Sequence, residues 1–459
     1  MTFMERVKAM DPKEIAQRPA VKNFWEKSLC WALSHRRSFK YPIGTGLPGD
    51  DYFNYVPEKK EPVPLTEVEL ALLCWAGAGT NGLIRNDRTF AQHACTHPWF
   101  EGRVYPSACN VWYVHLLFAN DDGVFFYKPH VPTGIVEIEK QQDMEIIFRA
   151  FKDGVIQLSD RSIMTTERSK AKPLETSGRK HTSFGSEFLF MPGVTNFFPI
   201  VDITVEMINV LLMLYGTGTS LFDEEAGKPA GIRTWIDRGI LNKESLPLRL
   251  YETGGIQLLI AHQFYIHQNL QLCTAAMGLG GYVTGGGHNA LTLLGETLEK
   301  GGNGFRFAQD RQGYTYPVGI DKVIETHMPP YMTMDSAVQD VWDMKFKKGY
   351  GRYNEAVKEG DRVMYPGFDP EPRAVYRPYL VPEKYTRAAW LEPAEAVAIA
   401  KDVANYIYDT YGRFPRLFNP VLCEAFVQTL HIDPDFYDRY QVKGSLWSEQ
   451  REHMRNWHS

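Results

Sequence analysis

The feature that most constrains this chain is the stretch 254–278, which reads GGIQLLIAHQFYIHQNLQLCTAAMG. Its apolar residues recur at helical spacing, which predicts one long helix. The run GLGGYVTGGG over residues 278–287 follows it, and a glycine cluster is typical of a helix C-terminus. A dinucleotide-binding fingerprint follows a strand and opens a helix, so this run does not predict a Rossmann site. A role of this glycine-rich backbone against a ring system stays open.

Other segments predict further regular structure. Residues 111–118 are mostly β-branched or aromatic, which predicts a buried strand, and GVFFYKP over 123–129 forms the returning strand after the turn signal Asn120–Gly123. Thr66 and Glu69 have the spacing of a capping box at the start of a helix. The remaining predicted elements are helices in the first 30 residues, over 203–215 and over 394–411, and short strands over 135–138, 154–158 and 316–325.

The composition excludes several classes of protein. In a chain of 459 residues, a hydrophobic fraction of 44% can bury a large core, which excludes a disordered chain or a small disulfide scaffold. A net charge of −5 argues against a general nucleic-acid-binding surface. The six cysteines include no C-x-x-C pair and have no zinc-ligand spacing. No apolar run has the length of a signal peptide or a membrane span, so we expect a cytoplasmic protein without membrane or nucleic-acid partners.

Two short motifs are candidates for ligand binding. HRRSFK over residues 35–40 is the densest cationic cluster near the amino terminus, and its arginines and serine suit an anion such as phosphate. The alternative is a solvated basic helix end. YPSACN over residues 105–110 is either a turn where backbone and amide groups approach a flat ligand or an ordinary entry to a strand. Cys109 is predicted to be structural, because no His/Asn pattern supports a nucleophile.

The order of these motifs resembles the FMN-dependent nitroreductase superfamily, in particular its azoline-oxidase-like subgroup, which oxidises heterocycles in modified peptides. The segments that carry the likeness, in the family's order, are HRRSFKYP (35–42), PLTEVELALLCWAGAGTNG (64–82), YPSACNVWYVHLLFA (105–119), GVFFYKP (123–129), the glycine-started helix with its Gly-Leu-Gly loop (254–280) and YPVGIDKVIETHMPPY (316–331). The resemblance implies an α+β fold, with a central mixed or antiparallel sheet flanked by helices. It also implies a flavin-binding domain over residues 1–330 and a C-terminal extension over residues 331–459.

The resemblance further implies an FMN site at a homodimer interface. Arg36 and Arg37 would lie toward the phosphate, Ser38 would assist them, and Lys40 would lie toward the pyrimidine edge, where a cation stabilises the reduced flavin. The other residues that the resemblance places around the flavin, some of them contributed by the partner subunit, are Asn81, Pro106, Ser107, Ala108, Asn110, Gln268, Gly280 and Gly281. The two glycines would present backbone to the ring near N5.

The implied function is that of an FMN-dependent oxidoreductase, which passes two electrons between flavin N5 and a small-molecule or modified-peptide substrate. Azoline oxidases carry an adjacent Lys-Tyr pair before the glycine-started helix, whereas this chain reads RLYE over residues 249–252. This departure leaves Tyr251 and Glu252 as candidate acid–base groups. NAD(P)H is one candidate electron donor. The alternative class is a non-catalytic binding or scaffold protein that retains the fold.

The tail, residues 331–459, lies beyond the segments that carry the likeness, and we expect it to pack on the core or on the partner subunit. Some of its residues are of the types that ligate metals, namely His431, Asp433, Asp435, His453 and His458. The last two histidines are five residues apart, which is a poor spacing for one helical face. We therefore predict a packed or solvated tail and no metal site. His262 and His267, on the long helix, are predicted to be satisfied helix histidines.

Overall fold

The computed structural model describes residues 1–46, 54–55, 60–83, 101–107, 114–128, 138–160, 191–285, 304–343 and 394–458. The helices of these residues are α1 (Phe3–Ala9), α2 (Pro12–Ala16), α3 (Pro19–Trp25), α4 (Leu29–His35), α5 (Glu67–Ala78), α6 (Glu145–Gly154), α7 (Thr204–Gly216), α8 (Arg233–Asp237), α9 (Leu248–Met277), α10 (Met334–Asp343), α11 (Ala394–Tyr411), α12 (Pro434–Tyr440) and α13 (Ser448–Trp457).

The strands of the described residues are β1 (Thr45–Gly46), β2 (Asn54–Tyr55), β3 (Thr80–Leu83), β4 (Glu101–Arg103), β5 (Val114–Asn120), β6 (Gly123–Tyr127), β7 (Val155–Ser159), β8 (Thr195–Asp202), β9 (Ser220–Asp223), β10 (Lys228–Pro229), β11 (Ser245–Pro247), β12 (Gly280–Gly285), β13 (Arg306–Gln309), β14 (Thr315–Ile320), β15 (Ile324–Glu325), β16 (Val421–Leu422) and β17 (Ala425–Leu430). Most predicted elements appear within two or three residues of their expected bounds. The predicted strand over 135–138 lies almost wholly outside the described residues.

A seven-stranded sheet forms the centre of the described structure, in the order β12, β17, β8, β5, β6 and β7, with β16 also paired to β8. Each of these pairings is antiparallel. The predicted hairpin is part of this sheet, because β5 pairs with β6 up to Asn120 opposite Gly123, across the predicted turn. Helices pack around the sheet, so the coarse prediction of a mixed helix and sheet fold with an antiparallel sheet is confirmed.

Both faces of this sheet are buried. Along β5, Leu116 and Phe118 belong to a large core that also contains buried side chains of α5 and α9. Leu117 and Ala119 belong to a second core on the opposite face, which also contains Phe436 of α12. Because side chains alternate between the faces of a strand, coverage of both faces explains why this strand is apolar at consecutive positions.

The helices begin and end where local signals place them. Glu69 N donates to Thr66 Oγ1 at 3.3 Å and Thr66 N donates to Glu69 Oε2 at 2.6 Å, so the predicted capping box starts α5. Helix α9 is longer than predicted, at about 45 Å. It ends at Gly278, whose φ of 81° is a left-handed conformation that glycine adopts readily. None of the helices in the described residues is long and apolar enough to cross a membrane.

The tail supplies a strand to the interior of the central sheet. β17 lies between β12 and β8 and pairs with both, from Leu430 opposite Gly280 on one side to Val427 opposite Phe197 on the other. Val427 and Leu430 are fully buried. The boundary predicted at residue 330 therefore does not separate a complete sheet from an extension, because the sheet contains a strand from each side of it.

Candidate functional site

The cationic segment, residues 36–40, follows α4 and lies beside the glycine-rich strand β12. Phe39 N donates to Gly281 O at 3.0 Å, and Lys40 Nζ lies 4.2 Å from the centroid of the Tyr282 ring. The side chain of Phe39 is buried in the second core, whereas the three residues before it are exposed. The structure therefore joins two motifs that are far apart in the sequence and presents the polar part of the first one to solvent.

The arginines of the cationic segment have neutral partners. Arg36 Nη1 donates to Gln271 Oε1 at 3.1 Å, and the Arg37 guanidinium lies 4.1 Å from the centroid of a Trp447 ring. Within the described part of the chain, no carboxylate lies within 4.0 Å of either arginine or of Lys40. Gln271 Nε2 is buried and has no acceptor among these residues. Unpaired cations beside a buried amide donor suit an anionic ligand that is rich in acceptors.

The two predicted glycines of β12 have a packing role. A Cβ atom on Gly280 would lie 2.7 Å from Leu430 Cδ1, and one on Gly281 would lie 3.0 Å from Thr274 Cγ2. A larger residue at either position would therefore require Leu430 or Thr274 to shift, and glycine lets β12 lie close to β17 and α9. Because Gly280 and Gly281 have no side chains, their backbone beside Phe39 is not covered by a side chain of β12 at these two positions.

The second half of α9 also contacts the segment that ends in Pro106 and Ser107. Asn269 Nδ2 donates to Val104 O at 3.2 Å, which fixes the chain just before this turn. Of the other predicted flavin residues, Asn81, Pro106 and Gln268 are exposed, and Ser107 is half-buried. Two more predicted residues lie outside the described ones, namely Ala108 and Asn110, as does Cys109.

Tyr251 and Glu252 are anchors of the fold. Tyr251 Oη donates to Met207 O at 2.7 Å, and burial raises the pKa of this phenol well above its usual value. Glu252 accepts hydrogen bonds from Arg416 N at 2.7 Å and Nε at 3.0 Å, and burial raises its pKa to about 7 although Arg416 opposes the shift. Both residues lie in the first turn of α9, about 30 Å along the helix from Gln271. Neither side chain reaches the cationic segment of its own subunit, and an acid–base role of the two residues stays a prediction.

The metal-site candidates of the tail separate into two groups. Asp433 and Asp435 bind Lys60 Nζ, at 2.7 and 2.8 Å. The histidines instead converge on a carboxylate of α5, in a cluster of Glu69, His431, His453 and His458. The spacing of the last two misled the prediction, because α13 ends at Trp457 and the next residue leaves the helix with φ −115° and ψ 7°. In the sequence, Glu69 carries only the signal of the capping box, and no local signal connects it to the tail.

Comparisons with known proteins add a distant likeness among solved structures. No protein-family model matches the chain, and no curated protein matches it. Among solved structures, the chain is similar to a protein of Ralstonia eutropha that is provisionally described as a nitroreductase. The alignment covers 56% of this chain and 70% of that chain, with 14% sequence identity and a TM-score of 0.25. A TM-score this low does not establish a shared fold.

Proposed function

We propose that this chain is an FMN-dependent oxidoreductase with a nitroreductase-like fold. The observation that carries the proposal is the docking of the cationic segment on β12, through the bond from Phe39 N to Gly281 O. Helix α9 precedes that strand and also binds Arg36, through Gln271, and the backbone of Val104, through Asn269. Three segments that the sequence resemblance places around a flavin are therefore tied to the second half of one helix.

The residues present fit an FMN molecule. The guanidinium groups of Arg36 and Arg37 are exposed, lack carboxylate partners among the described residues and can bind a phosphate through two parallel hydrogen bonds each. The buried Nε2 of Gln271 offers a donor to a ligand oxygen. Lys40 supplies a positive charge that would favour a reduced, anionic ring. The flavin, when bound, supplies the exchange of two electrons with the substrate.

We further propose that the site forms in a homodimer. Leu258 and Tyr265 lie seven residues apart on an outward face of α9 and are 46% and 43% exposed. Phe264, beside them, is 49% exposed. Large apolar side chains grouped on a surface are typical of an interaction site. A partner subunit on this face would cover them and would lie beside the half of α9 that holds the proposed flavin segments.

The substrate class of the proposal is a small organic molecule or a modified peptide, and NAD(P)H is a candidate electron donor. Tyr251 and Glu252 have no acid–base role in it, because both side chains are buried and bonded to the chain itself. A proton that accompanies the electron transfer would therefore reach the site from another group or from solvent.

Flavin binding by variants at the cationic segment tests the assignment. We expect the double variant Arg36→Ala/Arg37→Ala to bind FMN at least about 100-fold more weakly, because two charge-assisted contacts are lost. The matched control is Arg233→Ala/Arg238→Ala, which removes two arginines at α8, outside the site. Retention of the yellow chromophore on gel filtration and a titration of flavin fluorescence measure the difference.

Two results would contradict parts of the proposal. A wild-type chain that binds no FMN after reconstitution would refute the oxidoreductase and favour the non-catalytic binding protein. Equal affinity of the Arg36→Ala/Arg37→Ala variant and its control would refute the phosphate assignment.

The dimer has its own test. We expect Leu258→Glu to convert a dimer into a monomer in light-scattering measurements, because it places a charge on the proposed interface. The matched control is Ile156→Glu in β7, where the native side chain is 44% exposed, and it should leave the mass unchanged. A monomeric wild type, or a dimeric Leu258→Glu variant, would refute this interface.

A further inference from the structure

Four donor atoms lie together between α5, the end of β17 and α13, in a cluster that the proposed function does not use. Glu69 Oε1 lies 3.0 Å from His431 Nε2, 2.7 Å from His453 Nε2 and 3.4 Å from His458 Nε2. One ligand atom from each of the four residues lies within 4.8 Å of the others. In a tetrahedral zinc site with bonds of about 2.0–2.2 Å, adjacent ligand atoms are roughly 3.3–3.6 Å apart. The separations from Glu69 Oε1 lie at or slightly below that spacing, so small shifts of the side chains would place the four atoms around one ion.

Two of the histidines each have a hydrogen bond at Nδ1, the outer ring nitrogen, which turns Nε2, the inner nitrogen, toward Glu69. His431 Nδ1 lies 2.8 Å from Val63 O, and His453 Nδ1 lies 2.8 Å from Met277 O. Because a carbonyl only accepts, each Nδ1 carries a proton, and the Nε2 of each ring faces Glu69, where a neutral imidazole would offer its lone pair to a cation. A backbone carbonyl on the outer nitrogen is a common support for a metal-binding histidine.

Not every inner nitrogen of the cluster has a hydrogen-bond partner in the described structure. His453 Nε2 is buried and, among the described residues, makes no hydrogen bond, although Glu69 Oε1 is 2.7 Å away. His431 Nε2 and His458 Nε2 face each other at 3.1 Å. When two lone pairs and a carboxylate oxygen converge, a cation between them satisfies all of these groups together.

One oxygen of the Glu69 carboxylate faces the histidines and can ligate such a cation. Its Oε2 accepts from Thr66 N at 2.6 Å and from Thr66 Oγ1 at 2.9 Å, so the capping box occupies that oxygen and leaves Oε1 facing the histidines. A fully buried, ionised carboxylate requires a positive partner.

We infer that the cluster of Glu69, His431, His453 and His458 binds one divalent transition-metal ion, with Zn²⁺ as the expected occupant. Three imidazoles and one carboxylate oxygen are a ligand set that zinc accepts in tetrahedral geometry. Four protein ligands leave no position for a substrate, so the site is structural. The His458 side chain is 18% exposed, whereas those of the other three are at most 3% exposed, so the ion enters past His458.

The ion would fasten the C-terminal helix beside the cationic segment. Trp447, next to the first residue of α13, stacks on Arg37 and donates from Nε1 to His35 O at 3.1 Å. The ligands join this helix to the first turn of α5 and to the residue after β17. The inference does not rest on flavin binding, because its ligands and its readout are separate from those of the flavin site.

Metal analysis of the full chain, with any histidine tag removed, tests the inference. We expect about one zinc ion per chain by plasma mass spectrometry after reconstitution with Zn²⁺. Replacement by Co²⁺ should give the intense visible absorption of a tetrahedral ion. His458→Ala should weaken zinc binding by more than the roughly 10–100-fold that loss of a supporting hydrogen bond costs. This variant changes the most exposed ligand, so it keeps the test valid if a buried variant fails to fold.

A matched pair of buried variants separates ligation from folding. His453→Gln should lose zinc, whereas His267→Gln should keep it, because His267 is equally buried but lies on α9 and bonds to Ala425 O of β17, outside the cluster. A chelator should lower the melting temperature of the wild type and leave that of His458→Ala unchanged. A wild type that binds neither Zn²⁺ nor Co²⁺ would overturn the inference and leave a protonated imidazole–carboxylate cluster. Unchanged affinity in His458→Ala, or equal zinc loss in His267→Gln, would also overturn it.

Discussion

Replacement of Arg416 by methionine tests whether Glu252 serves stability. The Arg416 side chain is 1% exposed, and its Nε donates to Glu252 Oε2 at 3.0 Å. Its Nη1 donates to Asp223 Oδ1 at 3.2 Å, and its Nη2 donates to Glu224. Methionine has a similar length, so Arg416→Met removes the charge and leaves four carboxylates, those of Asp223, Glu224, Glu225 and Glu252, without their common partner.

These carboxylates differ in the partners that remain after the substitution, and Glu225, at 47% exposed, can be hydrated. Asp223 keeps hydrogen bonds from Tyr406 Oη at 2.8 Å and Tyr411 Oη at 2.7 Å. The Glu224 side chain is 31% exposed and can be hydrated, whereas that of Glu252 is fully buried and keeps only the backbone N–H of residue 416. Removal of one partner from a buried pair costs about 3–5 kcal/mol. We expect Arg416→Met to lower the free energy of unfolding by that amount, chiefly through Glu252.

Urea unfolding of the two single variants and the double variant measures this cost. Because Glu252→Gln removes the charge that Arg416→Met leaves unpaired, the double variant Arg416→Met/Glu252→Gln should recover about 1–3 kcal/mol relative to Arg416→Met. Coupling of this size is expected only if the two side chains interact directly in the folded chain. Arg451→Met is a suitable control, since Arg451 bonds to Asp438 in an exposed pair and its loss should cost at most about 1 kcal/mol.

The pH dependence of the free energy of unfolding gives a second test of the Arg416–Glu252 pair. Burial raises the pKa of Glu252 to about 7, and loss of Arg416 should raise it further. Between the unfolded and folded pKa values the folded chain binds more protons, so the stability falls as pH rises through that window. The window of the Arg416→Met variant extends to higher pH, and its deficit against the wild type should therefore grow above about pH 7. A loss below about 1 kcal/mol at pH 8, or a double variant less stable than Arg416→Met, would refute the reasoning.

Glycine substitutions give three further predictions, each measured by urea unfolding. Gly254→Ala should raise the free energy of unfolding by about 0.8–1.0 kcal/mol, because this glycine is exposed inside α9 with no atom within 4 Å of an added Cβ. Gly255→Ala should instead lower the free energy of unfolding by about 1–3 kcal/mol, since its Cβ would lie 2.5 Å from Met207 Sδ. Equal effects of alanine at positions 254 and 255 would contradict the close packing of Gly255 on Met207. Gly123→Ala should lower it by about 1–3 kcal/mol, because φ is 143° and the Cβ would lie 2.1 Å from Ser159 O; a neutral result would contradict the strained turn.

The parts of the fold that the sequence predicts correctly are those with local causes. The capping box at Thr66, the left-handed Gly278 and the turn before Gly123 each depend on residues within a few positions of one another. Helix α9 follows from the spacing of its apolar residues alone. Such elements can be predicted without knowledge of the neighbours against which they pack.

The errors arise where distant segments meet. The sequence analysis does not predict β17, although Val427 and Leu430 are fully buried in the sheet, because its six residues pair with partners 140 or more residues away. The acid–base role predicted for Tyr251 and Glu252 rests only on their position before the glycine-started helix. Their partners, Met207 and Arg416, are not apparent from the local sequence.

The Glu69 side chain has both a local partner, which the sequence predicts, and distant partners, which it does not. The capping box explains only Oε2, which accepts from Thr66, and a carboxylate with one local partner still has a second oxygen to satisfy. In a helix whose first turn is exposed, water would bind that oxygen, but Glu69 is fully buried. Burial of a capping glutamate therefore demands a second, non-local partner, and here that partner is a group of histidines from the tail. A helical spacing rule could not find them, because His431 follows a strand and His458 follows the end of α13.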